Sequence, residues 1–235
     1  MKKILALGMA VLLCANMPFA DVTFFMPLKE DMSDYWEKNG NVEQKIMEIT
    51  NKVILANGLK RAPAVIQRDF TIANAYSDLS NKRVTITKAL IKQLKNEDEV
   101  AFVLSHELSH SQEAYDGFLK IMAMSANSKG YEYKADLHAV DYMVKAGYNP
   151  IAGMIVINNT SDEPLSDWGF WNTHPKGSNR LIKMYEYIYV KYPQYLNSPM
   201  TKDVSYVNFL HQQDYDIKKF EQKQKKRQLK QGEGL

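Results

Sequence analysis

Apolar residues recur at helical spacing in several stretches of the chain. Val42, Ile46, Ile49 and Val53 fall on one face of a helix over 41–57, with Asn41 as its cap and Gly58 just past its end. Residues 64–70 and 83–87 are β-prone, and in the second Val84 and Ile86 alternate with polar neighbours. Between them, Tyr76-Ser77-Asp78-Leu79-Ser80-Asn81 reads as a turn, so a short sheet is expected. A helix is predicted from Lys88 to about Lys95. A second opens at Glu97-Asp98-Glu99, whose acidic groups suit the positive end of a helix dipole. This helix sends Val100, Val103, Leu104 and Leu108 inward and contains His106 and His110. Further helices are predicted from about Gly130 to Ala146, stopped by Gly147-Tyr148-Asn149-Pro150, and from Pro175 to about Tyr192. Beyond about Asp214 large apolar residues are few, which predicts a solvated helix or disorder.

Lys2 and Lys3 followed by an apolar run from Ile4 to Cys14 have the layout of a secretory signal peptide, with Ala20 suited to the residue before a cut. The expected organisation is therefore a leader over 1–20, one domain over 21–214 and a basic tail over 215–235. The expected location is periplasmic or secreted. An uncleaved anchor and a lipidated Cys14 are the alternatives, the anchor being short for a bilayer span. Cys14 is the only cysteine, so the remaining chain has no disulfide, cysteine nucleophile or thiolate metal site. A metal must be held by histidine and carboxylate.

The composition, 45% hydrophobic and 24% charged, excludes collagen-like, low-complexity and wholly disordered chains. The net charge of +3 conceals an uneven distribution: residues 218–235 hold seven basic groups against Glu221 and Glu233, leaving the body mildly acidic. Such a body lacks the basic footprint of a nucleic-acid binder. The tail offers at most a weak contact with an anionic membrane surface or acidic partner, and a solvated charge run is the simpler reading.

The chemistry concentrates at His106-Glu107-Leu108-Ser109-His110. On a helix, residues four apart share a face, so both imidazoles can reach one cation, while Glu107 beside that face can touch a water on it. This is the pattern of a zinc hydrolase with Glu107 as general base. It also arises by chance in roughly one chain in a hundred of this length. A third ligand is needed. A later histidine with the appropriate glycine is excluded, because Glu113 and Asp116 occupy those positions. Glu132-Tyr133-Lys134-Ala135-Asp136 offers a second route: Glu132 and Asp136 share a helical face, the first as ligand and the second as acceptor for the Nδ1 proton of a ligand histidine. Taken alone, both carboxylates read more readily as solvent-facing charges.

The order of landmarks resembles that of the M48 zinc metallopeptidases. These landmarks are Asn74-Ala75, the strand at 83–87, Asn96-Glu97-Asp98-Glu99 leading into the His-Glu-x-x-His helix, Glu-x-x-Ala-Asp, Ala146-Gly147-Tyr148-Asn149-Pro150, and Thr173-His174-Pro175 with Arg180. The resemblance spans roughly residues 70–190. It implies one zinc ion per chain bound by His106, His110 and Glu132, with Glu107 as catalytic base and Asp136 orienting a ligand. It also implies that His174 stabilises an oxyanion or caps the metal, against the simpler reading of a surface histidine. Arg180 is expected either to support developing negative charge or to form an ion pair. Lys134 and Ser109 depart from the family's common residues, and neither position holds a proposed ligand. His138 and His211 lack partner spacing and read as structural; Trp168, Phe170 and Trp171 read as core more readily than as a substrate cleft.

The expectation is thus a mostly helical α+β, zincin-like domain with a small sheet beside the active-site helix. It implies a zinc metalloendopeptidase acting on extended or misfolded proteins, which pair with the strand at 83–87. The alternative is a non-catalytic zinc-containing chaperone or adaptor; retention of Glu107 speaks against it, since metal binding alone does not need that carboxylate. A zinc hydrolase of non-peptide amides is a remoter reading.

Overall fold

The Asn41 side chain accepts a hydrogen bond from the Glu43 amide and starts α1 (Val42–Asn57), which Gly58 ends in the left-handed conformation at φ 61°. Ile46, Ile49, Thr50 and Val53 form its buried stripe. The computed structural model of the 235-residue chain describes residues 36, 38, 41–67, 72–161 and 178–232. The leader and the segment carrying Trp168, Phe170, Trp171 and His174 lie outside the described residues.

Three strands follow: β1 (Ala64–Gln67), β2 (Ala75–Asp78) and β3 (Arg83–Thr87). The sheet order is β1-β3-β2, with β3 parallel to β1 and antiparallel to β2. Two expectations are corrected here. The turn read over 76–81 is strand through Asp78, and the reversal is confined to the residues after it, where Asp78 accepts from the Asn81 amide. Strand 83–87 is the central strand: its two hydrogen-bonding edges are taken by β1 and β2, so an extended substrate cannot pair with it. Alternation of Val84 and Ile86 reports which face is buried, and carries no information about which strand sits in the middle.

The helix expected over 88–95 is the single turn α2 (Lys88–Ile91), capped by the Thr87 hydroxyl. It stops early because the chain must extend at Asn96, at φ −159° and ψ 171°, to cap the next helix. That helix, α3 (Glu97–Ala114), is the centre of the fold. Asn96 accepts from the Glu99 amide, which the first turn leaves open, and Glu99 reaches back to the Lys95 amide just before the cap. Fifteen of its 18 residues are buried, so its polar side chains must find partners inside the protein.

Around α3 pack α1, the sheet, α4 (Phe118–Ala126), α5 (Ser128–Lys145) and α6 (Ile151–Ser161). Helix α5 agrees with the expected span, whereas α6 has no apolar stripe to announce it. Helix α6 is buried all round through Ile151, Ala152, Met154, Ile155, Val156 and Ile157. It approaches α3 closely at Gly153, where a Cβ would sit 2.4 Å from the Phe102 ring. Helix α7 (Ser178–Lys191) packs on α5 and α6, and two 3-10 turns (Pro193–Asn197 and Pro199–Lys202) lead to α8 (Val204–Gln212) and α9 (Asp214–Gly232).

Residues after Asp214 thus form a helix whose first turns join the core. Ile217 is buried, Phe220 packs edge-on against Tyr189, and the Tyr185 hydroxyl donates to Glu221 at 2.6 Å. The basic residues from Lys225 onward are exposed. The architecture is α+β and mostly helical, with the sheet against the central helix. Among the described residues no helix is long and apolar enough to cross a membrane.

Candidate metal centre

Helical geometry places His106 and His110 one turn apart on the face of α3 that meets α5. Their rings meet edge to face with centroids 4.9 Å apart, and Phe102 packs beside His106 one turn earlier. From α5, Glu132 enters between them. His106 Nε2 lies 3.3 Å from Glu132 Oε2, His110 Nε2 lies 3.2 Å from Glu132 Oε1, and the two Nε2 atoms are 3.2 Å apart. The solvated reading of Glu132 is excluded by its 6% exposure.

The donor set fits a tetrahedrally bound metal ion. With zinc–ligand bonds of about 2.0–2.1 Å, neighbouring ligand atoms of a tetrahedron lie about 3.3 Å apart, close to the three separations observed. The protonation pattern agrees. His106 Nδ1 lies 3.1 Å from Asp136 Oδ1, which assigns the ring proton to Nδ1 and turns the Nε2 lone pair toward His110 and Glu132. Burial disfavours a charged His106, yet Asp136 and Glu132 outweigh it and hold its pKa up at about 9. The pocket is built to surround positive charge. Among the described residues, His106, His110 and Glu132 are the group of side chains arranged to hold a metal ion.

Asp136 follows Glu132 by one turn of α5 and is 1% exposed. Burial pushes its carboxyl pKa up, but Arg180 by charge and hydrogen bond, and then His106, bring it below the ordinary value. Arg180, on α7, donates from Nε to Asp136 Oδ2 at 2.7 Å and from Nη2 to Asp136 Oδ1 at 2.6 Å. Of its two expected roles the ion pair is the one the fold supplies: the guanidinium is 1% exposed, its fork occupied by Asp136, with Glu132 Oε2 3.8 Å away. A three-helix relay results, from α7 through Asp136 of α5 to His106 of α3.

Glu107 lies beside this group and is 1% exposed, held from the sheet by Ser77, whose hydroxyl is 2.9 Å from Glu107 Oε2. The turn-like composition around Ser77 hides its role in the sequence; only its alternation with Ala75 along a strand signals that it faces α3. The departure at Ser109 also has a place: its hydroxyl hydrogen-bonds His138 Nδ1 at 2.9 Å, and His138 packs on Tyr142. His138 thus faces a different part of α3 from the metal group. Lys134 pairs with Glu113, which also takes Lys120. His211 is exposed on α8. His174 lies outside the described residues.

Comparison with known proteins bears on the same elements. No curated protein and no solved structure matches the chain. The model of Peptidase family M48 matches residues 40–116, from the cap of α1 through the sheet to the end of α3, about a third of the chain. Glu132 and Asp136 lie beyond the matched span, and the fold brings them to the histidines within it. Over residues 40–116, which carry the two histidines and Glu107, the chain is similar to peptidase family M48.

Proposed function

We propose that the protein is a zinc-dependent metalloendopeptidase that hydrolyses peptide bonds in extended or misfolded protein segments outside the cytoplasm. The observation that carries this reading is the buried Glu107 carboxylate, adjacent in sequence to one ligand histidine, outside the ligand group, and held by a hydrogen bond from the sheet. A site built for metal binding alone has no use for it.

His106, His110 and Glu132 would hold the zinc ion. When bound, zinc supplies a Lewis acid that polarises a carbonyl and acidifies water. Glu107 takes the proton of the attacking water and returns it to the leaving amine, so one carboxylate serves as base and then acid. Asp136 keeps His106 in the Nδ1–H tautomer, and Arg180 keeps Asp136 ionised and oriented. Among the described residues β2 pairs only with β3. Its outer edge is therefore where an extended segment would add by main-chain hydrogen bonds, next to Ser77 and Glu107. This favours unfolded segments over folded surfaces.

Glu107→Gln tests the reading. It keeps the side-chain volume and removes the base, so zinc content and melting temperature should stay at wild-type values while hydrolysis of unfolded casein falls by ~10²–10⁴. Equal activity in both proteins, including equal absence of cleavage across a panel of unfolded proteins, would leave the zinc-containing chaperone or adaptor in its place.

A further inference from the structure

Ser77 sits on β2 opposite Val84 of β3, in a strand fixed by hydrogen bonds along one edge. Ala75 and Ser77 face inward, toward α3, while Tyr76 between them is 38% exposed. The Ser77 hydroxyl lies 2.5 Å from the main-chain oxygen of Glu107 and 2.9 Å from Glu107 Oε2. Both acceptors belong to one residue, one on its backbone and one at the end of its side chain. The hydroxyl has one proton, shared between the two acceptors, and only side-chain conformations that keep Oε2 near the strand receive its share. Glu107 is 1% exposed, so bulk water does not compete for this contact.

We propose that Ser77 is a positioning residue for the reaction: its hydroxyl clamps the Glu107 carboxylate against β2, fixing the base in one conformation beside the metal ligands. The proposal rests on the reading of Glu107 as general base. A general base acts within hydrogen-bond reach of the proton it takes, and displacement by about 1 Å can cost up to ~10² in rate. The same strand that would line up an extended substrate thereby also sets the base, so substrate backbone and catalytic carboxylate share one rigid reference. The serine hydroxyl is a strong acceptor-seeking donor in a place where alanine would satisfy the packing and do nothing for the carboxylate.

The test uses the full-length, zinc-loaded protein and two readouts. The first is a thermal double-mutant cycle of Ser77→Ala and Glu107→Met, the latter close in length and without acceptor oxygens. Ser77→Ala should lower the melting temperature by several degrees in the wild-type background and by clearly less beside Glu107→Met. Identical shifts in the two backgrounds would mean the hydroxyl serves the backbone carbonyl alone, and the proposal fails. The second readout is steady-state hydrolysis of an unfolded peptide. Ser77→Ala should lose roughly tenfold in kcat at unchanged KM and zinc content, and Ser77→Thr, which keeps the hydroxyl, should recover most of it. An unchanged kcat, or a loss that threonine does not repair, overturns the proposal. If wild type hydrolyses nothing, the peptidase reading falls, while the thermal cycle still decides whether Ser77 holds the carboxylate.

Discussion

Replacing Arg180 by Met separates two roles for this arginine that its sequence position leaves equivalent. Methionine matches much of its length and removes the guanidinium. In the folded protein Arg180 and Asp136 are each 1% exposed and share two hydrogen bonds of 2.6 and 2.7 Å. Arg180→Met strands a buried carboxylate with His106 Nδ1 as its main neighbour. Removing one partner of a buried ion pair costs about 3–5 kcal/mol, because the remaining charge stays desolvated. At about 2–4 °C per kcal/mol for a domain of this size, the melting temperature should fall by about 6–20 °C. Arg180→Lys, which keeps the charge and loses the two-pronged geometry, should fall in between.

Thermal unfolding followed by far-ultraviolet circular dichroism measures this, and competition with a chromophoric chelator measures zinc affinity in the same variants. The affinity should drop by roughly 10–100-fold, the range for partners that orient a ligand without binding the ion. A variant with wild-type melting temperature and zinc affinity but reduced turnover would refute the reasoning. It would return Arg180 to the role of supporting charge in the transition state.

Glu132→Ala should abolish stoichiometric zinc, read by metal analysis of dialysed protein; full occupancy would show that the third ligand lies elsewhere. Glu99 gives a pH dependence. Burial raises its pKa to about 7 against the hydrogen bonds from the Lys95 amide and Asn96, so the native state holds its proton more tightly than the unfolded chain. Its contribution is fully present below the unfolded value of about 4.3 and is lost as pH rises through about 7. Glu99→Gln removes the charge while keeping an acceptor, so its melting temperature relative to wild type should rise between pH 5 and pH 8; a pH-independent difference would count against the burial argument. Gly153→Ala drives a methyl to 2.4 Å from the Phe102 ring, and overpacking of this kind costs about 1–3 kcal/mol, visible as a melting temperature lower by several degrees. Unchanged stability would show that α6 can shift away from α3 freely.

The parts of the site legible in the sequence are those set by one helix at a time. His106 and His110 share a face because an α-helix repeats every 3.6 residues, and Glu132 and Asp136 share one for the same reason. Asn41 and the acidic run at 97–99 mark helix starts through local hydrogen bonding and the helix dipole, and both helices begin there. Whether Glu132 met the histidines or the solvent required the packing of α5 across α3. The central place of β3, the inward face that β2 gives Ser77, and the pairing of Arg180 with Asp136, 44 residues away, likewise depended on how distant segments pack. Local periodicity says which face of an element is apolar, and α6, apolar on every face, lacked even that signal. The charges that make the site, Glu107, Glu132, Asp136 and Arg180, are buried only because each satisfies another or is held from the sheet. A buried charge is tolerable only with its partner in place, and that partner is supplied by chain reversal and packing over tens of residues, which no local pattern encodes.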